Sequence, residues 1–138
     1  MKTSNEVPAL FDKFSGEAHD AFSYSIDDLI AMVPIAKQRE DSYSLGAILH
    51  YLKARCNHTQ YQDVLYENGM KSRMANYIMA IYVKFHALQL PCPVDIPWRT
   101  LGEGVRLIDS TNYKEEIEFC RKSTAEEVRE RIRELRGQ

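Results

Sequence analysis

An all-helical fold, one compact domain containing a helix-turn-helix and closed by C-terminal helices, follows from three features of this sequence. Apolar residues recur at steps of three and four through the middle and end of the chain, the spacing of one helix face. Strand-like alternation never runs longer than a few residues. The length, 138 residues, suffices for one domain with a real core and leaves too little for two. Apolar and charged contents of 44% and 28% are ordinary globular values, so disorder is expected only at the ends.

Residues 1–24 carry Pro8, Gly16 and mixed polar residues without steady periodicity. They are expected to form a partly ordered N-terminal arm with one short turn near 9–14, ahead of a helical domain over 25–138. Ser25 and Asp28 make a capping pair before Ile26, Leu29, Ile30 and Val33 at helical spacing. Pro34 is expected to end or kink that helix, or to open a short segment over 34–38. Ser42 or Ser44 can cap the next helix, whose stripe is Leu45, Ile48, Leu49 and Leu52.

The stretch over 59–88 organises the rest. A first helix over 60–67 is expected, capped by Thr59, and Gly69 supplies the left-handed turn residue. A second helix from about residue 71 places Met74, Ile78, Ile81, Phe85 and Leu88 at steps of four, three, four and three. Ala75 is small where the two helices cross. Three prolines within QLPCPVDIPW then impose an extended connector. A helix over 98–109 follows with Leu101, Val105 and Ile108 inward, weakened by Gly102 and Gly104 at roughly 1 kcal/mol each relative to alanine. Two helices over 112–122 and 124–136 close the chain. The last has serine and threonine capping signals in Ser123 with Glu126 and Thr124 with Glu127, and a Glu127–Arg131 pair one turn apart.

The opening turns of the second helix hold Lys71, Ser72, Arg73, Asn76 and Tyr77, while its later turns are apolar on most sides. That is the layout of a recognition helix, whose N-terminal side chains enter a major groove while its remainder anchors in a core. Arginine pairs bidentately with guanine and asparagine with adenine; lysine and serine reach bases or phosphates. Thr59 and Gln60 at the start of the preceding helix, with Lys53 and Arg55 before it, are the candidate backbone contacts. Arg99 and Thr100 can add to them. The same residue types also suit a solvated helix start.

A net charge of −2 argues against a wholesale polyanion binder. The charge is uneven, however: residues 1–35 hold two lysines against six acids, and 36–106 nine bases against six acids. Cys56, Cys92 and Cys120 are widely spaced and odd in number, which suits a reducing cytosol. His50, Cys56 and His58 fall within nine residues without a fourth ligand at zinc-site spacing, so no metal and no cofactor is expected. Glycine-rich phosphate loops, nucleophile elbows and zinc-protease motifs do not occur, which makes catalysis the least supported class. The opening residues lack a signal-peptide pattern and Lys84 interrupts the most apolar helix, so a cytoplasmic protein without a membrane span is expected.

The run YQDVLYENGMKSRMANYIMAI resembles the helix-turn-helix of a group of phage and plasmid proteins and, more distantly, that of ParB-like partition proteins. The motif positions are Gly69, Met70, Ser72, Arg73 and Ala75, and the closing STAEEVRERIRELR is similar to that group's last segment. Asn68 departs from it where an apolar residue usually precedes the glycine, and Met74 where a hydroxyl residue is common. The resemblance implies a non-catalytic double-stranded DNA binder, a transcriptional regulator or partition-like accessory, commonly a homodimer. The last helix is the candidate dimer element, although it can equally pack on its own domain. The rival reading is a helical adaptor or inhibitor that grips a protein partner through tyrosine- and methionine-rich surface and does not bind DNA.

Overall fold

The computed structural model describes residues 6–16 and 23–137 and contains eight helices there: α1 (Glu6–Gly16), α2 (Ile26–Gln38), α3 (Ser42–Arg55), α4 (His58–Glu67), α5 (Ser72–Leu88), α6 (Trp98–Gly104), α7 (Tyr113–Arg121) and α8 (Ala125–Leu135). No strand occurs among the described residues, and the all-helical fold class holds. Within the expected arm, residues 9–14 belong to a full helix rather than a short turn. Phe11 and Phe14 of α1 are buried in the same cluster as the apolar face of α2. The rest of the arm over 1–5 and 17–22, with His19, lies outside the described residues.

Helices α3 and α5 pack more extensively on each other than any other pair. Gly46 permits the crossing, since a Cβ there would lie 2.5 Å from the Ile78 carbonyl oxygen and 2.7 Å from Tyr82 Cβ. Around this crossing α1–α4 and the first half of α5 close one apolar cluster, including Leu29, Met32, Ile48, Leu52, Leu65 and Ile78. The second half of α5 continues into another through Ile81 and Phe85, which meet Leu101, Ile108, Val128 and Ile132 of the later segments. One helix thus serves both clusters along its stripe from Met74 to Leu88.

Several local expectations are corrected. Pro34 neither ends nor splits α2, which runs on to Gln38. The ring is exposed, so the turn loses one backbone hydrogen bond without burying the deficit. The cap of α3 is Asp41, whose carboxylate accepts from the Ser44 N–H at 3.0 Å and the Ser44 hydroxyl at 2.7 Å. Asn57 rather than Thr59 caps α4, accepting from the Gln60 N–H at 2.8 Å, so that helix starts earlier, at His58. Helix α6 stops at Gly104, short of residue 109, although Leu101, Val105 and Ile108 are all buried.

Gly102 and Gly104 do more than weaken α6. A Cβ at Gly102 would lie 2.8 Å from Tyr77 Cβ and one at Gly104 would lie 2.2 Å from Cys120 Sγ, so both residues let α6 lie close against its neighbours. Burial beside this contact, reinforced by Glu116, pushes the Cys120 thiol up to about 11. The Thr124 and Glu127 capping box of α8 is present as expected. Arg131, by contrast, does not pair with Glu127. It turns to Glu116 of α7, donating from Nη2 at 2.8 Å and from Nε at 3.1 Å. The α8 stripe of Ala125, Val128 and Ile132 is buried, and α8 packs on α6 of its own chain. Leu135, 60% exposed, is left outside that packing.

Asp109 organises the turn into α7. Its Oδ1 accepts from the Thr111 hydroxyl at 2.7 Å and from the N–H groups of Thr111 at 2.8 Å and Asn112 at 2.9 Å. The Thr111 hydroxyl, then the two backbone donors, hold this carboxyl below its ordinary value of 3.8. A carboxyl lowered by folding stabilises the native state above its unfolded value and loses that contribution as pH falls through the folded one. Stability is therefore expected to drop on acidification below 3.8, and Thr111→Val to make that drop smaller. Urea unfolding of both proteins at about pH 5 and about pH 2.5 checks this; an unchanged drop in the variant contradicts it.

Candidate functional site

The junction between α4 and α5 is a Schellman turn. With Asn68 as C-cap, the Gly69 N–H donates to the Tyr66 carbonyl at 3.1 Å and the Met70 N–H to the Leu65 carbonyl at 2.9 Å. Gly69 takes φ 64°, the left-handed conformation its position demands. Met70 and Leu65 are both buried in the first cluster. Lys37 Nζ, from the end of α2, donates to the Asn68 carbonyl oxygen and fixes the turn from outside. Asn68 spends its own side chain on the Val64 carbonyl at 2.8 Å, which explains how a polar residue stands before the glycine.

Helix α5 leaves this turn with Lys71 as N-cap and no side-chain cap on its first N–H groups. Lys71, Ser72, Arg73 and Asn76 are exposed, and the next residues inward, Ala75, Ile78 and Met79, are buried. The two sides of this ridge differ. Ser72 and Asn76 line a groove of about 460 Å3 with Lys53, Asn57, His58 and Gln62. Lys71, Arg73 and Tyr77 line another of about 500 Å3 with Trp98, Arg99 and Arg129. Thr59 and Gln60 are exposed in the first turn of α4.

Two expected contacts are otherwise occupied. Arg55 is exposed, but its Nη1 donates to the Tyr24 carbonyl at 3.0 Å, tying the end of α3 to the segment before α2. Tyr77 is half-buried: its hydroxyl donates to Glu103 Oε1, and its ring meets Trp98 edge-on with centroids 6.1 Å apart. Arg73 leans on this tyrosine, donating from Nη2 to its hydroxyl at 3.2 Å with the guanidinium 5.4 Å from the ring centre. The arginine side chain is still 71% exposed. Thr100, named beside Arg99, is buried.

Sequence reasoning missed Glu103, Trp98 and Arg129. Glu103 is 1% exposed, in the last turn of α6, and its contacts to Arg73 and Arg129 put it under the basic groove. Its Oε1 faces the Tyr77 hydroxyl, Arg129 Nε at 3.3 Å and Arg73 Nη2 at 3.9 Å. Among the described residues its Oε2 has no hydrogen-bond partner. The signal for it was a charge inside LGEGV, a stretch otherwise composed as a buried helix. No three histidine, cysteine, aspartate or glutamate side chains among the described residues converge as metal ligands. No helix among them is long and apolar enough to cross a membrane.

No protein-family model, curated protein or solved structure matches the chain.

Proposed function

We propose that this chain binds double-stranded DNA, without catalysis, by presenting the opening turns of α5 to a major groove, as a regulator or partition-like accessory. The observation that carries the reading is the exposed ridge of Ser72, Arg73 and Asn76, standing between a polar and a basic groove. Arg73 and Asn76 are the base readers, because their planar side chains can pair with base edges bidentately. Lys71, Ser72 and Lys53 hold phosphates beside them, with the exposed side chains of Thr59 and Gln60 in the first turn of α4, where Asn57 already takes the Gln60 N–H. Tyr77 acts at one remove, by orienting Arg73. Arg55 is the weakest member, because its guanidinium already serves the Tyr24 carbonyl.

One such helix reads only a few base pairs, so a second copy on a neighbouring half-site is part of the proposal. A cytoplasmic location follows from the same reading. The protein-binding alternative loses its methionine-rich surface, because Met32, Met70 and Met79 are buried, and draws instead on Tyr66 and Val94, 86% and 97% exposed. Titration of the chain with a short duplex of random sequence, followed through its amide resonances, separates the two. DNA binding is expected to shift the amides of residues 71–77 and 58–60 first. Shifts confined to the surroundings of Tyr66 and Val94 on adding a protein partner, with none on adding duplex, would make the alternative the better account.

A further inference from the structure

The basic groove is lined by four cationic side chains, Lys71, Arg73, Arg99 and Arg129, and one buried carboxylate, Glu103, meets two of them, Arg73 and Arg129. A single negative charge cannot balance four positive ones, and it lies beneath the surface where an incoming ligand does not displace it. The groove therefore retains a positive surplus in a concave site walled by two aromatic rings, the condition that concentrates an anion. Three of the four cations are guanidinium groups, whose donor forks match phosphate oxygens.

The arrangement is built rather than incidental. Glu103 Oε1 draws Arg129 from α8 and Tyr77 from α5 to one point, and the Tyr77 hydroxyl in turn receives Arg73. Arg99 lies over the Trp98 ring at 5.5 Å from its centre. A second concavity of about 670 Å3 shares Trp98, Arg99 and Arg129 and runs on past Ser123 and Thr124, with Glu126 also lining it. Through these shared residues the two concavities form one trough that starts at α5 and runs across α6 to the start of α8, and the groove that holds Lys53 lies on the neighbouring face of α5.

We infer that this trough seats the phosphates of one DNA strand, making Arg99 and Arg129 nucleic-acid ligands. The inference rests on the proposed insertion of α5 into a major groove and extends it. The helix would be flanked by phosphates on both sides, those near Lys53 and those in the trough, so that both apolar clusters of the fold contribute to one surface.

The test is the slope of log affinity against log salt for a random-sequence duplex. Each phosphate that a variant no longer neutralises reduces the steepness of that slope by about 0.9. Arg99→Gln is expected to reduce it by about one, Arg99→Gln/Arg129→Gln by nearly two, and Arg129→Lys to leave it near the wild-type value. Lys114→Gln, on α7 and outside both grooves, is the control expected to change nothing. Because Arg129 neighbours a buried carboxylate, Arg99→Gln alone decides the matter should the double variant fold poorly. Unchanged slopes in a chain whose residues 71–77 still respond to duplex overturn the trough and leave the DNA reading standing. An equal reduction in the Lys114 control overturns the trough as well. A wild-type chain that binds no duplex at low salt overturns both.

Discussion

Gly46→Ala is expected to lower the unfolding free energy by about 2 kcal/mol, the difference between two opposed effects. Alanine favours a helix interior over glycine by about 1 kcal/mol, so on an isolated α3 the change would stabilise. In the fold, the added methyl carbon would meet a backbone oxygen at 2.5 Å and a Cβ at 2.7 Å, neither of which is the movable end of a long side chain. Relief requires shifting α5 away from α3, which loosens the most extensive helix pair in the molecule. Overpacking of this kind costs about 1–3 kcal/mol, and the rigid neighbours place it at the upper end. For a chain of this size the midpoint of thermal unfolding should fall by roughly 8 °C. A midpoint that stays or rises means that the crossing is not as close as described.

Arg131→Met should be similarly damaging for a different reason. Glu116 is 4% exposed, and Arg131 supplies two charge-assisted hydrogen bonds to its carboxylate while lying 4.7 Å from the Phe119 ring centre. Removing one partner of a buried pair leaves a desolvated charge, at a cost of about 3–5 kcal/mol when both are fully buried. Here the arginine side chain is 35% exposed and water can reach the vacated space, so about 2 kcal/mol is the expected loss. The double variant Glu116→Leu/Arg131→Met removes the stranded charge and should be more stable than Arg131→Met alone. Urea unfolding of the four proteins in this cycle measures the coupling directly. A double variant no better than the single one would show that packing against Phe119, rather than the ion pair, is what Arg131 supplies.

These two sites also mark where the sequence can and cannot be read. The length and face of α5, the Gly69 turn and the Thr124 box on α8 are legible because each depends on residues within one or two turns of each other. Caps are harder. Asp41 and Asn57 stand close to hydroxyl residues equally capable of accepting a cap bond, and spacing alone does not choose among them. Pro34 misleads because the cost of a helical proline depends on whether its deficit faces water. Gly46, Gly102 and Gly104 are required by helices that meet them only in three dimensions. The basic groove is half visible: Lys71, Arg73 and Arg99 can be named, but their relation to Glu103 and Arg129 spans separate helices. The Tyr77 to Glu103 bond alone bridges 26 positions, beyond the reach of any local pattern.

Whether the exposed start of α5 and the cations around it meet phosphate is measured most directly by duplex affinity as a function of salt. With about four phosphates neutralised, affinity for a random-sequence duplex should fall on the order of 100-fold between about 50 and 200 mM salt. An affinity that holds steady over that range, or no detectable binding at its lower end, would contradict the account.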